Sequence, residues 1–499
     1  MKSISACVPS AMIAAALGLA AVISSSMPST PAQGSDTPPG GSLRTAEPAR
    51  PSLPPGAVGV LQAFLDESLP TGGIDRTKSL WQAPGRGSAA GGSMFPGKID
   101  PRYLRYLIEF LYCGGPDKDR AAWAKVADAH VDYLASAVTA SHPTWVWGNA
   151  LEAIGLHHAY HGGTSRYGAR ANEIIAWLRT RRVEVRLPDG TTFGHFPCGY
   201  GILNAKDAGW TNDLSMAGAG LVWACEVTGD RTILADAVGF AEYFVRPWRP
   251  NAVGKNGYWE CGTWQEKEGC WVIGPSHFSG FESTDLFADE SSWVFSNLTC
   301  VDFLMRLHRH KPDPRYVDRC VKAARWTFRE CQFPDGAVGM CGRDDKWLGF
   351  TGAAVSIATM VVPHLKAGED RTSLIRDARR AKAYLDAGLA KADVKAHGVE
   401  WVTRKSSTDP LVNVGMVWTY GLLGWHNGRT LSHGQEDLWQ KDRRKTWARE
   451  EHLSAINVSA ETSTQATHLS TQATPKQGLN AHVRDRPCLC IKDGAGAPR

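Results

Sequence analysis

The sequence predicts an all-α fold in which antiparallel helical hairpins close into a ring and are joined by long aromatic-rich loops. From residue 58 onward, apolar residues recur at spacings of three and four, which is the period of an amphipathic helix. Glycine and proline mark turns between these segments, and strand-like runs are few and short. Each hairpin can bury one face against its neighbour, so closing the series into a ring removes exposed ends.

The helical pattern is expected to span residues 57–430 as one domain. Within it the apolar spacing and the turn residues together predict the individual helices. These helices are predicted at residues 58–68, 101–113, 119–140, 147–161, 168–182, 212–228, 231–246, 290–309, 313–331, 350–365, 370–391 and 410–424.

The two ends of the chain differ from this domain in composition. In residues 1–32, Lys2 precedes an apolar run and then small residues. The run is shorter than the ~20 apolar residues that cross a bilayer, so we predict a secretory signal peptide. The protein is therefore expected to be secreted or periplasmic, with no membrane attachment after cleavage. Residues 33–56, rich in Pro, Gly and Ser, predict a flexible linker, and residues 431–499 a disordered tail.

Composition restricts the partners of the chain. The formal net charge is +5, which permits an anionic substrate without requiring one. The sequence has no Lys/Arg-rich tract interleaved with aromatic residues, so no nucleic-acid partner is predicted. In an exported protein, Cys261 with Cys270 and Cys331 with Cys341 are near enough in sequence to close short disulfide loops.

A short motif carries a resemblance to a known superfamily. The segment Cys331–Gly339 reads CQFPDGAVG, follows an amphipathic helix and precedes the apolar residues 350–357. It resembles the turn between hairpins of α/α-toroid proteins, a superfamily that includes polysaccharide lyases, many glycoside hydrolases and the terpenoid cyclases. The resemblance covers about residues 57–430 and implies an α/α-toroid catalytic domain. The DxDD acid motif of the cyclases is absent from the sequence.

Residues 255–295 are the most unusual stretch of the chain, because they mix aromatic and acidic residues and fit neither a helical nor a strand period. Stacking aromatic rings beside carboxylates and a histidine suit a surface that binds sugar rings and moves protons. Trp259, Trp264 and Glu282 are therefore predicted to bind a polysaccharide. The alternative interpretation is a long surface loop pinned by its own aromatic cluster.

The preferred function is β-elimination from a uronic-acid polysaccharide, in which the C6 carboxylate is neutralised and the proton at C5 is removed. The resemblance to toroid lyases implies catalytic roles for individual residues of this sequence. Asn212 and His277 would neutralise the carboxylate, Tyr200 would act as base or acid, and His195 would be its partner. Further substrate contacts are expected from Arg404, Trp147 and Asn149.

Two other functions stay open at this stage. Hydrolysis would need a pair of carboxylates, and the sequence offers Asp213, Glu260, Glu282, Asp285, Asp289 and Glu290. An exported protein that binds glycans without catalysis is the second alternative. For Asp213 and Thr211, a role as the N-cap of the following helix is the preferred interpretation.

No metal ion or other cofactor is predicted. His157 and His161 are four residues apart and would share one helix face, as metal ligands can, but packed or surface histidines are more common at this spacing. A structural calcium ion bound by acidic residues of the stretch 255–295 is an open alternative, although the sequence has no EF-hand spacing.

Overall fold

The structure is a computed structural model, and the residues that it describes form a predominantly helical domain. They are residues 53–73, 101–114, 119–163, 166–187, 189–197, 210–248, 262–276, 287–289, 292–343, 346, 348–390, 421, 422, 424 and 427. Their α-helices are α1 (Pro55–Glu67), α2 (Pro101–Cys113), α3 (Arg120–Ala137), α4 (Thr144–Tyr160), α5 (Gly168–Thr180), α6 (Thr211–Thr228), α7 (Arg231–Val245), α8 (Val294–His310), α9 (Pro314–Cys331), α10 (Leu348–Val361) and α11 (Glu369–Ala390). Residues Val362–His364 form a 3₁₀ turn.

The helices form an inner and an outer layer. Helices α2, α4, α6, α8 and α10 are buried along almost their whole length, whereas α3, α5, α7, α9 and α11 bury one face. The inner helices contact one another in chain order, and each contacts the outer helix that follows it. Because every inner helix is followed by an antiparallel outer helix, all inner helices run in the same direction.

Glycines allow neighbouring inner helices to approach closely. A Cβ atom on Gly148 of α4 would lie 2.4 Å from the carbonyl oxygen of Met216 on α6. A Cβ atom on Gly220 would lie 2.7 Å from the Cα atom of Gly148. Both distances are shorter than a non-bonded carbon contact, so the α4–α6 interface admits no side chain at these two positions.

Three short antiparallel hairpins lie in connections that lead from an outer helix to an inner helix. Strand β1 (Val183–Arg186) pairs with β2 (Thr192–His195), β3 (Trp264–Gln265) with β4 (Cys270–Trp271), and β5 (Gly274–Ser276) with β6 (Phe287–Asp289). In the third hairpin, Gly274 stands opposite Asp289. The prediction that strands are few and short is confirmed for the described residues.

The segment Cys331–Gly339 is a turn between two hairpins, as its resemblance implied. It joins α9 to α10, and Gln332 and Val338 form an isolated antiparallel bridge within it. Gly336 has φ +98°, and a Cβ atom there would lie 2.3 Å from the carbonyl oxygen of Arg380 on α11. Glycine is therefore required both by the backbone conformation and by the close approach of α11.

Some predicted boundaries are wrong. Helix α4 begins at Thr144 and not at 147, because Pro143 is extended and occupies the N-cap position. Helix α8 begins at Val294 and not at 290, because residues 287–289 belong to β6. The predicted linker overlaps α1, whose first residue is Pro55. Proline suits a first helical position, where its missing N–H has no intrahelical partner.

Other predictions fall partly or wholly outside the described residues. The predicted signal peptide 1–32 and tail 431–499 lie outside them, as does most of the helix predicted at 410–424. Among the described helices, none combines the length and the apolar composition needed to span a bilayer. Cys270, Cys331 and Cys341 carry thiols, so neither of the two expected disulfide loops is closed.

The glycine contact between α4 and α6 gives a test of the inner layer. We expect Gly148→Ala to lower the free energy of unfolding by about 1–3 kcal/mol, because the methyl group must displace the backbone of α6. Gly342→Ala is the control, since a Cβ atom on Gly342 meets no atom within 4 Å. Urea unfolding of the three proteins measures both effects. Equal stability of Gly148→Ala and the parent would contradict the packing described here.

Candidate active site

The two ends of the ring differ in the length of their connections. Connections from an inner helix to the next outer helix are short, for example residues 229–230 and 311–313. From α3 onward, three of the four connections from an outer helix to the next inner helix are long, at residues 181–210, 246–293 and 332–347, and residues 138–143 form a short one. We call the end formed by these long connections and the first turns of the inner helices the N-terminal rim. Long loops held on a rigid scaffold are the usual location of binding and catalytic residues.

A carboxylate and an amide lie side by side at the start of α6. Asp213 is 0% exposed and Asn212 is 1% exposed, and Asn212 Nδ2 donates a hydrogen bond to Asp213 Oδ1 at 2.7 Å. The preferred interpretation of Asp213 or Thr211 as the N-cap is wrong, because Trp210 occupies that position. Asp213 is instead the third residue of the helix, where the helix dipole favours a negative charge.

A second inner helix supplies a positive charge to the same place. Arg102, at the start of α2, brings Nη1 within 3.7 Å of Asp213 Oδ1. Its guanidinium also lies 4.8 Å from the centre of the Trp145 ring, on α4. The first turns of α2, α4 and α6 are therefore joined through one guanidinium, which approaches both a carboxylate and an aromatic face.

Helix α8 and residues 271–273 complete this part of the N-terminal rim. Ser296 Oγ donates to Asn212 Oδ1 at 3.5 Å, which is a long contact. Asn297 Oδ1 accepts a hydrogen bond from the backbone N–H of Trp271 at 3.3 Å. The backbone N–H of Thr211 donates to the carbonyl oxygen of Ile273 at 2.7 Å. Residues 271–273 are thus hydrogen-bonded to the first turns of both α6 and α8.

Two tryptophans stand directly in front of these helices. Trp210 and Trp293 are partly exposed, and their ring centres are 6.1 Å apart with planes tilted by 55°. Each precedes the first residue of an inner helix, α6 or α8. Partly exposed indole rings next to a covered carboxylate can stack against an apolar face of a sugar ring.

Two tryptophans predicted for the site, Trp147 and Trp264, pack against residues elsewhere in the fold. Trp147 is 1% exposed, donates its indole N–H to the carbonyl oxygen of Thr139 and packs against Trp177. Trp264 is 0% exposed and meets Trp271 edge-on at 4.9 Å. For residues 262–276, the alternative interpretation of a loop pinned by its own aromatic cluster therefore describes the packing.

His195 is also packed among aromatic rings. Its ring centre lies 5.3 Å from that of Phe240 and 4.7 Å from that of Tyr243, both on outer helix α7. Burial lowers the pKa of His195 to about 3, so the imidazole is neutral at physiological pH. His195 thus packs against the outer layer, and its role as the partner of Tyr200 stays a prediction.

Asn149 lies one helical turn below Trp145 on α4. Its Nδ2 donates to the carbonyl oxygen of Trp145 at 2.8 Å and contacts Met216 Sδ at 3.2 Å. Its Oδ1 is buried and has no hydrogen-bond partner among the described residues. Asn149 therefore keeps one acceptor close to the rim.

The remaining predicted site residues lie outside the described residues, and their roles stay predictions. They are Tyr200, Trp259, His277, Glu282 and Arg404.

An ionic cluster lies deeper in the ring, below the rim. Arg105 on α2 is 1% exposed and donates from Nη2 to Asp302 Oδ2 on α8 at 2.7 Å. It donates from Nη1 to Glu109 Oε2 at 3.2 Å. Arg105 also forms a close ion pair with Glu152 on α4. Burial raises the pKa of Glu152 to about 7, against the opposing attraction of Arg105.

Two residues of the candidate site, Arg102 and Trp210, were not predicted from the sequence. Trp293 was included only as one aromatic residue of the stretch 255–295, and Asp213 was one of six carboxylates with no basis for choosing among them. A signal was available for the tryptophans, because each directly precedes a helical apolar run. No pattern along the chain pairs Arg102 with Asp213, since the two residues are 111 positions apart (213 − 102).

The fold is similar to solved structures of carbohydrate-active enzymes. The α-1,6-mannanase GH76A from Salegentibacter sp. HEL1_6 matches with a TM-score of 0.51 at 11% identity, covering 74% of this chain and 98% of the mannanase. An unsaturated glucuronyl hydrolase specific for heparin matches with a TM-score of 0.45 at 14% identity, covering 74% of this chain and 94% of that one. A polysaccharide lyase matches with a TM-score of 0.43 at 13% identity, covering 76% of this chain and 96% of the lyase.

The similarity to the mannanase confirms the fold class. The chain has the α/α-toroid fold, as its turn motif and helical period predicted. No protein-family model matches the sequence, and no curated protein matches it. At 11% identity, the match to the mannanase shows the fold and not the reaction.

The raised pKa of Glu152 predicts a pH-dependent difference between the parent and Glu152→Gln. Between the ordinary value of 4.5 and about 7, the folded parent holds a proton that the unfolded chain has released. The stability of the parent relative to Glu152→Gln should therefore fall as pH rises through this window, by on the order of 3 kcal/mol. Glutamine mimics the protonated acid and does not titrate.

Urea unfolding at pH 5 and pH 8 measures this difference. Glu173→Gln is the matched control, because Glu173 pairs with Arg170 at the surface and its side chain is 52% exposed. The control should show little change between the two pH values. An equally pH-independent difference for Glu152→Gln would mean that Glu152 is ionised in the folded protein at pH 5.

Proposed function

We propose that this protein is a carbohydrate-degrading enzyme that hydrolyses glycosidic bonds at the N-terminal rim, with Asp213 as one of its two catalytic carboxylates. The observation that carries the proposal is the position of Asp213. It lies in the first turn of an inner helix, is hydrogen-bonded by Asn212, is near Arg102 and follows the partly exposed Trp210 by three residues. Hydrolysis of a glycosidic bond needs a carboxylate held in such a covered, oriented position.

The contacts of Asp213 suit a carboxylate that acts in its charged form. The amide of Asn212, the guanidinium of Arg102 and the N-terminus of α6 each stabilise a negative charge at this point. A charged carboxylate can act as a nucleophile or as the base that activates water. We therefore assign the role of nucleophile or general base to Asp213.

The second carboxylate is proposed from the β5–β6 hairpin. Asp289 stands opposite Gly274 in the ladder, and the neighbouring Ile273 carbonyl accepts the backbone N–H of Thr211. The backbone of Asp289 is thus close in space to the start of α6, where Asp213 lies. Asp289 is the carboxylate we propose as the general acid that protonates the leaving oxygen.

β-Elimination remains the second candidate reaction. Arg102 favours it, because a guanidinium at the rim is suited to neutralising the carboxylate of a uronic acid. Asp213 opposes it, because a carboxylate hydrogen-bonded to Asn212 would repel a substrate carboxylate placed there. Elimination would also require Tyr200 and His277 as base and neutralising group. An anionic polysaccharide stays part of this second candidate, and export through residues 1–32 is proposed with either reaction.

Substitution of Asp213 tests the hydrolytic proposal. We expect Asp213→Asn to lower kcat by a factor of about 10²–10⁴, because an amide can neither attack nor accept a proton. The assay records reducing ends and the ultraviolet absorbance of unsaturated uronates on a panel of neutral and uronic-acid polysaccharides. Asp318→Asn, at an exposed position on outer helix α9, is the control and should keep its activity.

Tyr200→Phe in the same assay separates the two reactions. Hydrolysis predicts reducing ends without absorbance and an active Tyr200→Phe variant. Absorbance that rises with reducing ends, together with an inactive Tyr200→Phe and an active Asp213→Asn, would establish elimination instead. Full activity of Asp213→Asn alone would remove Asp213 from the mechanism.

The two rim tryptophans should contribute to substrate binding and not to the chemical step. We expect Trp210→Ala and Trp293→Ala each to raise KM by about 2- to 12-fold, which corresponds to the roughly 0.5–1.5 kcal/mol of an aromatic stacking contact. Trp177→Ala is the control, because Trp177 is also partly exposed but lies on outer helix α5. An unchanged KM in both rim variants would exclude stacking on these rings.

A further inference from the structure

We propose that Asp128, His157 and His161 form a binding site for a divalent transition-metal ion, with zinc as the best match. The site lies at the C-terminal end of α4, on the opposite end of the helix from the rim. His157 is thirteen residues after Thr144, the first residue of α4. At 1.5 Å per residue, this separates the two ends by about 20 Å. The proposal is therefore independent of the proposed reaction.

The three side chains converge from two helices. His161 Nε2 lies 2.8 Å from Asp128 Oδ1, and His157 Nε2 lies 3.8 Å from the same oxygen. One ligand atom from each residue lies within 4.8 Å of the other two. Zinc bonds of about 2.0–2.1 Å in a tetrahedral site place neighbouring ligand atoms about 3.3 Å apart. Shifts of about half an ångström would bring both Asp128 distances to that value.

His157 is the residue that a simple ion pair leaves unexplained. Asp128 and His161 at 2.8 Å are a complete pair by themselves. His157 is 4% exposed, its Nε2 is beyond hydrogen-bond distance of Asp128, and its Nδ1 has no hydrogen-bond partner among the described residues. A buried imidazole without a hydrogen bond is costly, and it faces a carboxylate and a second imidazole. A metal ion bound by all three groups would compensate that cost.

Neighbouring tyrosines hold the three groups in place. Tyr112 donates its hydroxyl to Asp128 Oδ1 at 2.7 Å and so restrains the carboxylate. The rings of Tyr167 and Tyr160 meet His157 and His161 edge-on, with centres 4.9 Å and 5.0 Å apart. Such outer contacts orient the first ligands in known metal sites.

The ligand set and its exposure indicate the kind of ion. Two imidazoles and one carboxylate suit zinc or another first-row transition metal, and the fourth position is left for water. The side chain of His161 is 34% exposed and that of Asp128 is 27% exposed, so an ion can enter from solvent. Bound there, it would join α3 to α4 at the end of the ring that carries the short connections.

Titration of the metal-free full chain with Zn²⁺, purified without a histidine tag, tests the proposal. Calorimetry should give one ion per chain, and zinc should raise the unfolding temperature. His161→Gln should weaken binding by at least about 10–100-fold and abolish the thermal shift, and Tyr112→Phe should weaken binding by about tenfold. His364→Gln is the matched control, because His364 also lies edge-on to a second histidine, His308, but is not part of the cluster.

A variant that fails to fold is recognised from its circular dichroism before titration, and His161→Gln is the decisive variant because its side chain is partly exposed. Co²⁺ binding gives a second measurement, since thiolate ligands would produce a charge-transfer band that imidazole and carboxylate ligands lack. Binding lost in His161→Gln and kept in His364→Gln supports the site. Absence of zinc binding, equal binding by His161→Gln, or a thiolate band would overturn it.

Discussion

A fully buried guanidinium fixes the arrangement on which the rest of the ring depends. Arg105 has its partners on three inner helices, with Glu109 on its own helix, Glu152 on α4 and Asp302 on α8. Breaking such a pair leaves an uncompensated charge in the interior, at a cost of several kcal/mol. These contacts therefore restrain how far α2, α4 and α8 can shift along their axes relative to one another. Arg102 lies one turn nearer the rim on the same face of α2, so the cluster also sets where that guanidinium meets α6.

The sequence predicted the fold more fully than the site, and the reason is physical. Helical period and turn residues are local, so most helices and the Cys331–Gly339 turn could be predicted without the tertiary structure. A site depends on which helices meet. Asn212 lies in the first turn of α6 at the rim, whereas Trp147 faces the outer layer, although its residue type suits a sugar platform equally well. Residue type alone does not show which face of a buried helix is directed at the rim.

Helix α4 shows how one inner helix serves different environments along its length. Its first turn, with Trp145, contacts the guanidinium of Arg102 at the rim. Its middle carries Glu152, whose charge is governed by burial and by Arg105. Its last turn presents His157, and the residue after its end is His161; both contact Asp128 on the outer helix α3. The middle and the far end are separated by little more than one turn, yet only the far end is open to solvent.

The direction of the inner helices bears on both of the reactions that we propose for this protein. All inner helices present their N-termini to the same rim, and each N-terminus carries a partial positive charge. Under the proposed hydrolysis this field would stabilise the carboxylate of Asp213, and it would equally stabilise the carboxylate of a uronic acid. Because the helix N-termini favour both reactions, the side chains at the rim decide between them. In this chain the side chain at the start of α6 is itself a carboxylate, Asp213, and it occupies the place where the field would otherwise attract an anionic substrate.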